Sequence, residues 1–497
     1  MKTSKTCLDV TMVAPEVVPF SKTGGLADVV AGLSRALSVA GHNVAVITPL
    51  YSRVSRAQLS RTEEKLHIAL GDDSATAGVW EARSIHGVTT YFIEVPELYD
   101  RPELYGEGGE DYPDNARRFA ALSRGALELI RSRRMPCDIL HVHDWQTALI
   151  PLYMKSIYAD EPHPARARTV LTLHNLAYQG IFDMAGLSET GLGSSYATPR
   201  YLEFYGSMSF LKGGMVAADA LTTVSPTYAR EILTEDFGCG LEGVLTARTG
   251  DLVGILNGID TTEWDPSTDA HLPVRYRLGA MQGKGKCKTA LRREVGLPEG
   301  SGRPLFGMVT RLVPQKGVDL LIAAFSRLLE TEADWVILGN GQPEIERQLR
   351  LLAGAHPERL AVRIGFDDAL AHRIQGGCDF TLMPSRFEPC GLNQLYALRY
   401  GTIPVVRAVG GLADTVIDVT REPDLGTGVS FKAPTAVALT DAVQRALALF
   451  RKPRIWAALR KRAMEQDFSW DRSAGSYAQL YASLKEHPPS AIPPGPD

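Results

Sequence analysis

Cysteine is scarce in this sequence. The 497 residues include six cysteines, which lie far apart and form no Cys-x-x-Cys pair. Cysteine-based zinc sites and disulfide-dense secreted domains usually carry cysteines at short, regular spacings, so neither class is favoured. We expect reduced thiols, as in a cytosolic protein.

Long apolar runs are absent as well. No window approaches the roughly 18 apolar residues that a membrane-spanning helix needs, and Asp9 interrupts the first hydrophobic run. No basic segment followed by an apolar stretch precedes Asp9, so a signal peptide is not expected. The sequence therefore predicts a cytoplasmic protein without a membrane partner.

An excess of charge of either sign is also lacking. The 53 Lys and Arg residues nearly balance the 57 Asp and Glu residues, which gives a formal net charge of −4 at pH 7. Because there is no long basic run, neither a nucleic acid nor an anionic membrane is expected as the main partner. An anionic substrate would have to be bound by a few local cations.

The length of the chain and its alternating pattern predict two α/β domains. The 497 residues exceed what a single hydrophobic core usually holds. Short β-branched runs alternate with longer amphipathic stretches, which is typical of βα units and parallel sheets. The clearest predicted strands cover residues 44–48, 169–174, 221–225, 306–310, 335–338, 380–383 and 402–406.

A break in this pattern places the domain boundary near Gly258. Residues 271–304 are rich in Gly, Lys and Pro and show little periodicity. We predict a Rossmann-like domain over residues 1–256, a second one over 257–469, and a disordered Pro-rich tail over 487–497. Two doubly wound domains of this kind are expected to face each other across a cleft that binds the substrates.

Two cations follow a predicted strand of the second half. Arg311 and Lys316 lie between the strand at 306–310 and an amphipathic helix, at the carboxyl edge where open α/β sheets bind ligands. Either cation alone would be interpreted as a solvated surface residue. Together, a guanidinium fork and an ammonium group suit a diphosphate.

A third cation, Lys22, belongs to the segment Lys22-Thr23-Gly24-Gly25 of the first half. Two glycines let backbone amides approach a ligand, and a helix start favours an anion, although Gly-Gly at such a position is more often only a turn. The pattern Gly-Gly-Leu-Ala-Asp of residues 24–28 recurs at residues 410–414. The Walker and GxGxxG patterns are missing, which disfavours a nucleoside triphosphatase and a nicotinamide-dependent oxidoreductase.

Histidines and an aspartate end two predicted strands of the first half. His141, His143 and Asp144 close one apolar run, and His174 closes another. The His-x-His spacing could bind a metal, but no carboxylate or cysteine cluster completes a ligand set, so we predict no metal. Hydrogen bonds to a sugar and a purely structural network stay open as alternatives. Asp144 and His174 are the candidates for sugar contact.

The segment after the strand at 380–383 carries a single carboxylate. Glu388 precedes Pro-Cys-Gly and a predicted helix, where it could meet developing positive charge or a sugar hydroxyl. The region around Gly391 offers backbone donors for the same ligand. Taken alone, the motif could equally be a capped turn.

Taken together, these segments resemble the family of bacterial glycogen synthases and plant starch synthases. Each segment alone is weakly specific, but the set in this order is highly specific and covers nearly the whole chain. The resemblance is carried by Val13-Ala14-Pro15-Glu16, Lys22 to Val29, Asp114-Asn115, Arg118-Phe119, His143-Asp144-Trp145, His174 to Gly180, Asn257-Gly258-Ile259-Asp260, Arg311 to Gly317 and Glu388 to Gly401.

The resemblance implies a retaining glucosyltransferase with two Rossmann-like domains, the GT-B type. Such an enzyme transfers glucose from ADP-glucose to the non-reducing end of an α-1,4-glucan, such as glycogen or a malto-oligosaccharide, without a cofactor or an obligatory metal. The resemblance further implies that Arg311 and Lys316 neutralise the diphosphate leaving group. It also implies that Lys22, Gly24 and Gly25 lie close to the donor.

For the glucose itself, the resemblance implies contacts from Asp144, His174 and Glu388 and from the backbone of Cys390, Gly391 and Leu392. Glu388 would in addition stabilise oxocarbenium character at the sugar. The resemblance also implies that residues 470–486 form a helix that joins the first domain.

Three points stay open. The wider superfamily often carries a second Glu eight positions after the first, where this chain has Tyr396; this leaves the ribose contact undetermined and disfavours a hydrolase with paired carboxylates. UDP-glucose or a related nucleotide sugar is an alternative donor, and a non-catalytic glucan-binding protein is an alternative of another class. The aromatic residues between Tyr196 and Tyr205 could stack on acceptor sugars or serve packing.

Overall fold

The computed structural model describes residues 7–486, and these form two compact units. The first unit comprises residues 7–224, 229–258 and 470–486, and the second comprises 225–228 and 259–469. The division falls after Gly258, two residues beyond the sequence-based boundary at 256. The predicted disordered tail, residues 487–497, lies outside the described residues.

The strands of both units are numbered in chain order. Those of the first unit are β1 Asp9–Val13, β2 Asn43–Pro49, β3 Ser60–Leu70, β4 Asp73–Arg83, β5 Thr89–Glu94, β6 Gly106–Glu107, β7 Glu110–Asp111, β8 Ile139–His143, β9 Arg168–Leu173, β10 Ile181–Phe182, β11 Glu203–Phe204, β12 Ser207–Ser209, β13 Ala220–Thr223 and β14 Leu252–Gly254. Those of the second unit are β15 Leu305–Val309, β16 Asp334–Gly339, β17 Leu360–Ile364, β18 Phe380–Met383, β19 Ile403–Arg407 and β20 Val429–Phe431.

The helices are numbered in the same way. They are α1 Gly25–Val39, α2 Pro96–Tyr99, α3 Asn115–Ser132, α4 Leu149–Met154, α5 Pro162–Ala165, α6 Leu187–Thr190, α7 Phe210–Ala217, α8 Pro226–Glu231, α9 Glu242–Ala247, α10 Gln282–Val295, α11 Val318–Leu329, α12 Pro343–Ala355, α13 Asp368–Gly377, α14 Asn393–Arg399, α15 Gly410–Thr415, α16 Ala436–Phe450, α17 Pro453–Met464 and α18 Trp470–Glu486. Short 3-10 turns occur at Arg56–Gln58, Trp145–Thr147, Met184–Gly186, Ser194–Tyr196, Thr249–Asp251 and Pro314–Lys316.

The first unit is organised around a nine-stranded sheet. Its strand order is β14-β13-β9-β8-β1-β2-β5-β4-β3, and all neighbours from β14 to β5 pair in parallel. The hairpin of β3 and β4 extends this sheet with antiparallel strands. The hairpin is not evident from the sequence, because β3 begins with charged and polar residues that obscure the alternation of buried and exposed positions.

The final helix packs within the first unit. Val29, Leu33 and Leu37 form the buried face of α1, with the 3.6-residue period that the sequence shows. Trp470 of α18 lies against this helix, so closely that a Cβ on Gly32 would approach the indole Nε1 to 2.0 Å. Glycine at this position therefore allows the two helices to touch.

The second unit is organised around a six-stranded sheet with the order β17-β16-β15-β18-β19-β20. All of its neighbouring strands pair in parallel. Apolar helices cover both faces, as parallel strands require because their two sides are buried. The parallel strands in both sheets, connected by helices, confirm the predicted α/β class. Each predicted strand corresponds to an observed one within two residues at either end.

Two further expectations concern thiols and membranes. All six cysteines are free thiols. Among residues 7–486, none of the helices combines the length and the apolar character that crossing a bilayer requires.

Candidate active site

The candidate residues of the first unit follow three adjacent strands. Lys22 lies in the connection after β1, Asp144 directly follows β8, and His174 directly follows β9. Because β8 pairs in parallel with both β1 and β9, the three connections leave the same carboxyl edge of the sheet. This is the edge at which open α/β sheets bind ligands.

Asp144 has a strained backbone. Its φ of 55° and ψ of −171° lie in a region that is rare for residues other than glycine and costs about 1–3 kcal/mol. Its carboxylate accepts a hydrogen bond of 2.7 Å from the backbone N–H of His174. Strain of this kind concentrates at functional sites, where the surrounding structure holds the residue in place.

Burial also perturbs the carboxyl group of Asp144. It raises the pKa of Asp144 to about 7, although hydrogen bonds from the backbone of His174 and Asn175 act in the opposite direction. The negative charge of Glu16 raises the pKa further. Asp144 can thus exchange a proton near neutral pH, and it is partly accessible to a ligand.

The three histidines form two hydrogen-bonded groups. His143 Nδ1 lies 3.0 Å from His174 Nε2. His141 contacts Thr172 through Nε2 at 2.6 Å and Tyr481 through Nδ1 at 2.7 Å. Both ring nitrogens of His141 are therefore engaged, which favours the structural alternative for this residue.

Desolvation keeps these imidazoles neutral. Burial lowers the pKa of His141 and of His174 to about 3, and it lowers the pKa of His143 well below the ordinary value. His174 is only half-buried, whereas His141 and His143 are fully buried. Of the three, His174 is the one that a polar ligand could reach, as a neutral hydrogen-bonding group.

The segment of Lys22 to Gly25 is exposed to solvent. Lys22 Nζ forms an ion pair of 2.8 Å with Asp28 of α1, and the lysine side chain is 46% exposed. Gly24 and Gly25 are exposed, and apart from Gly24 itself and its two chain neighbours, no residue has an atom within 4 Å of the position that a Cβ on Gly24 would take. Packing therefore does not explain the glycine at position 24, and the space beside it is accessible to a ligand.

Glu16 supports this segment, a role that the sequence analysis did not assign. Its buried carboxylate accepts hydrogen bonds from the backbone N–H of Thr23, from the Thr23 hydroxyl at 2.8 Å, and from the Tyr105 hydroxyl at 2.7 Å. The sequence feature that could have pointed to Glu16 is its position in Pro15-Glu16, just after β1. Glu16 links the Lys22 segment to the electrostatics of Asp144, whose pKa it raises.

In the second unit, Lys316 and Glu388 are in direct contact. Lys316 Nζ lies 2.8 Å from Glu388 Oε1 and 2.7 Å from Oε2, and Ser385 Oγ donates to the same carboxylate at 2.9 Å. The side chains of the pair are 17% and 6% exposed. Their loops follow the adjacent parallel strands β15 and β18, which explains why residues distant in sequence meet.

Arg311 belongs to the same pair of loops. Its guanidinium lies 3.5 Å from Gln315 Oε1, and the backbone carbonyl of Gln315 accepts from the N–H of Arg386 at 2.7 Å. Gly317 has a φ of 68°, and a Cβ there would lie 2.1 Å from the carbonyl oxygen of Pro384. The loop that carries both cations therefore depends on glycine to approach the loop of Glu388.

The segment of Cys390, Gly391 and Leu392 continues from Glu388. Gly391 has a φ of 72°, a conformation that favours glycine. The side-chain amide of Gln394 donates to the carbonyl oxygens of Cys390 at 3.0 Å and of Gly391 at 2.9 Å. These bonds fix the loop from the side of α14. Across the described residues, the backbone N–H groups of Gly391 and Leu392 have no acceptor.

The structure thus assembles the predicted residues into groups within each unit. In the first unit, Asp144 meets His174, and Lys22 adjoins the two glycines. In the second unit, Lys316 meets Glu388, Arg311 lies in the same loop as Lys316, and residues 390–392 continue from Glu388.

Two family models match the chain. The model described as "Starch synthase catalytic domain" matches residues 9–247, and the model described as "Glycosyl transferases group 1" matches residues 290–461.

Individual relatives match over nearly the whole length. The chain is 49% identical over 478 residues to a glycogen synthase of an Anaeromyxobacter species, with 96% of this chain and 99% of the relative covered. It is 45% identical over 476 residues to glycogen synthase 2 of Geobacter sulfurreducens, covering 95% and 98%. Among solved structures, the catalytic domain of starch synthase IV from Arabidopsis thaliana, bound to ADP and acarbose, superimposes with a TM-score of 0.90 at 35% identity, covering 97% of this chain and 100% of the other.

Proposed function

The chain belongs to the family of glycogen and starch synthases, and from this premise we propose that it transfers glucose from ADP-glucose to the non-reducing end of an α-1,4-glucan, with retention of anomeric configuration. The observation that carries the proposal is the contact of Lys316 with Glu388 at the carboxyl edge of the second sheet, with Arg311 in the same loop. The ADP bound to Arabidopsis starch synthase IV supports a nucleoside diphosphate as the group that is recognised.

We assign the diphosphate to the cations. When the bond between glucose C1 and the diphosphate breaks, the electron pair leaves with the phosphate oxygen, and negative charge accumulates there. The Arg311 guanidinium and the Lys316 ammonium can stabilise that charge through charge-assisted hydrogen bonds. Lys22, Gly24 and Gly25 are assigned as further donor contacts, because the space beside Gly24 is open.

We assign the sugar to the polar groups around the two sheet edges. Glu388 carries a negative charge suited to the positive charge that develops at C1, while Lys316 holds its orientation. Asp144, His174 and the unused backbone donors of residues 391–392 can bind glucose hydroxyl groups. In this assignment the second unit binds the nucleotide sugar and the first unit binds the acceptor glucan.

The expected reduction of the reaction barrier requires more than one of these groups. Enzymes lower barriers by about 8–23 kcal/mol, whereas one oriented electrostatic donor contributes about 3–4 kcal/mol. Several of the assigned groups must therefore act together. The free thiols at all six cysteines also favour a cytoplasmic setting, which we include in the proposal.

The proposal is tested by supplying ADP-glucose and glycogen to the purified protein and measuring ADP release together with glucan extension. We expect both products in equal amounts. Glucan binding without nucleotide release would instead indicate a non-catalytic glucan-binding protein. A parallel competition with UDP-glucose determines the donor, because a preference for UDP-glucose would overturn the assignment of ADP-glucose while leaving the transfer reaction intact.

A further inference from the structure

A cluster of metal-ligating side chains lies in the second unit, apart from the residues assigned to glucosyl transfer. Ligand atoms of His271, Asp368 and His372 all lie within 4.8 Å of one another. Asp368 is the first residue of α13, and His372 follows one turn later on the same helix face. His271 comes from the connection that precedes α10. The fold thus joins two distant parts of the sequence.

Asp269 fixes the tautomer of His372. Its carboxylate accepts from His372 Nδ1 at 2.9 Å, from the Tyr400 hydroxyl at 2.6 Å, and from the backbone N–H of His271 at 2.8 Å. A carboxylate that accepts a hydrogen bond from Nδ1 leaves the lone pair of the imidazole on Nε2.

That nitrogen lacks a partner. His372 is only 1% exposed, and its Nε2 has no hydrogen-bond partner among the described residues. A buried polar atom without a partner is costly and rare in folded proteins. A bound cation would supply the missing interaction, and the carboxylate on the opposite nitrogen is the arrangement that orients histidine ligands in metal sites.

The imidazole of His372 is also held in place by stacking. The Trp264 ring lies on it with a centroid distance of 3.8 Å and an angle of 11°. The other face of Trp264 stacks on Tyr396 at 3.7 Å and 10°. A ligand whose orientation is fixed before binding loses little freedom when a cation arrives.

We propose that His271, Asp368 and His372 bind a zinc-class divalent cation, with His372 contributing Nε2. Two imidazoles and one carboxylate suit Zn²⁺ or Co²⁺ better than Mg²⁺ or Ca²⁺, which prefer oxygen ligands throughout. Zinc bonds are about 2.0–2.2 Å long, so the ligand atoms must converge on one point. His271 and Asp368 are exposed and can rotate toward the fixed His372.

This site differs from the one that the sequence suggested and excluded. The His141-x-His143 spacing led to the prediction of no metal, because no carboxylate-rich or cysteine cluster completes a ligand set there. In the site proposed here, Asp368 and His372 are one helical turn apart, but His271 lies about 100 residues earlier, so the sequence spacing alone does not indicate the complete ligand set. The inference is independent of glucosyl transfer, because it uses none of the residues assigned to ADP-glucose.

Zinc binding to the chelator-treated full-length protein, measured by isothermal titration calorimetry, tests the proposal. We expect a single equivalent of Zn²⁺ per chain in the wild type. The variant His271→Gln/Asp368→Asn should bind at least 10–100-fold more weakly, since even the loss of a supporting partner costs about that much. The matched control is His67→Gln/Asp236→Asn, which changes an exposed histidine and an exposed aspartate elsewhere and should bind as the wild type does.

Cobalt spectroscopy identifies the ligands. Co²⁺ in this site should give visible d–d bands without the strong near-ultraviolet bands of a cobalt–thiolate bond. It should also quench the fluorescence of Trp264, a signal that is missing from the Trp264→Phe variant. Both signals should disappear in His271→Gln/Asp368→Asn. Equal zinc affinity in that variant and the wild type, no stoichiometric binding, or thiolate bands in the cobalt spectrum would overturn the proposal.

Discussion

The Gly-Gly-Leu-Ala-Asp segments at residues 24–28 and 410–414 share a sequence but occupy opposite environments. Gly24 and Gly25 are exposed, and a Cβ on Gly24 would meet no atom of another residue within 4 Å, its two chain neighbours apart. Gly410 and Gly411 are buried, and a Cβ on Gly411 would lie 2.1 Å from the carbonyl oxygen of Cys390.

The aspartates of the two segments differ in the same way. Asp28 forms an ion pair with the half-exposed Lys22. Asp414 instead accepts hydrogen bonds from Ser225 Oγ and from the backbone N–H and hydroxyl of Thr227. The first segment is therefore open to a ligand, whereas the second supports the loop of Glu388, to whose carbonyl the N–H of Gly411 donates at 3.1 Å. One motif can thus serve binding in one place and packing in another.

The largest effect should come from the charged groups in the loops that follow β15 and β18. Glu388→Ala, Lys316→Ala or Arg311→Ala should each reduce kcat with ADP-glucose and glycogen by about a hundredfold or more, because each removes an oriented charge from the reaction centre. Circular dichroism and thermal unfolding control for folding. A near-normal rate in a folded variant would refute the role of that residue.

Replacing one glycine in each segment by alanine should distinguish a glycine that is needed for packing from one that is needed for ligand binding. Gly411→Ala should lower the free energy of unfolding by about 1–3 kcal/mol, because its Cβ would overlap the backbone of Cys390. Gly24→Ala should stay within about 0.5 kcal/mol of the wild type, since no neighbour opposes the new methyl group.

Denaturant titration of both variants measures the difference. If Gly24→Ala has normal stability but a raised KM for ADP-glucose, the open segment contacts the donor. Equal destabilisation of the two variants would remove the contrast between the segments.

Lys22→Ala should have a smaller effect. The ion pair with Asp28 is exposed, so its loss should change the free energy of unfolding by no more than about 1 kcal/mol. If the ammonium contacts the donor, kcat/KM for ADP-glucose should fall by about tenfold or more, as expected for a lost charged hydrogen bond. Asp28→Asn is the matched control: it removes the ion pair but leaves the lysine available, so an equal loss of kcat/KM there would argue against donor contact.

The last prediction concerns stability alone, through its pH dependence at Asp144. Its pKa rises from the ordinary value, about 3.9, to about 7 on folding. Between these values the folded state holds a proton that the unfolded state has lost, so this group makes stability fall as the pH rises. Asp144→Asn removes that dependence, so the variant should gain stability relative to the wild type between pH 5 and 8, measured by denaturant titration. If the free energies of unfolding of the variant and the wild type differ by the same amount at every pH from 5 to 8, the raised pKa of Asp144 is contradicted.

The sequence was informative where chemistry follows the βα alternation. Arg311, Glu388, Asp144 and His174 were assigned to strand ends because apolar runs stop immediately before their segments, and the structure places them there. Parallel pairing then brings such ends together, as the contact of Lys316 with Glu388 shows.

Other features have no local signal. The hairpin of β3 and β4 begins with charged residues whose alternation becomes visible only when one face is known to be buried. Residues 225–228 pack with the second unit through Asp414, a partner far away in the sequence. The support of Thr23 by Glu16 and the cluster around His372 likewise depend on distant partners. Periodicity and spacing describe neighbours in the chain, so they do not reveal such contacts.

The central claim is that Arg311 and Lys316 bind the diphosphate of the donor. It is tested most directly by measuring the affinities for ADP and AMP, by calorimetry, in the wild type and in Arg311→Ala and Lys316→Ala. We expect the wild type to prefer ADP and each variant to lose about tenfold or more of that preference, because a charged hydrogen bond to the additional phosphate is removed. The same ratio of ADP to AMP affinity in the wild type and both variants would contradict the account.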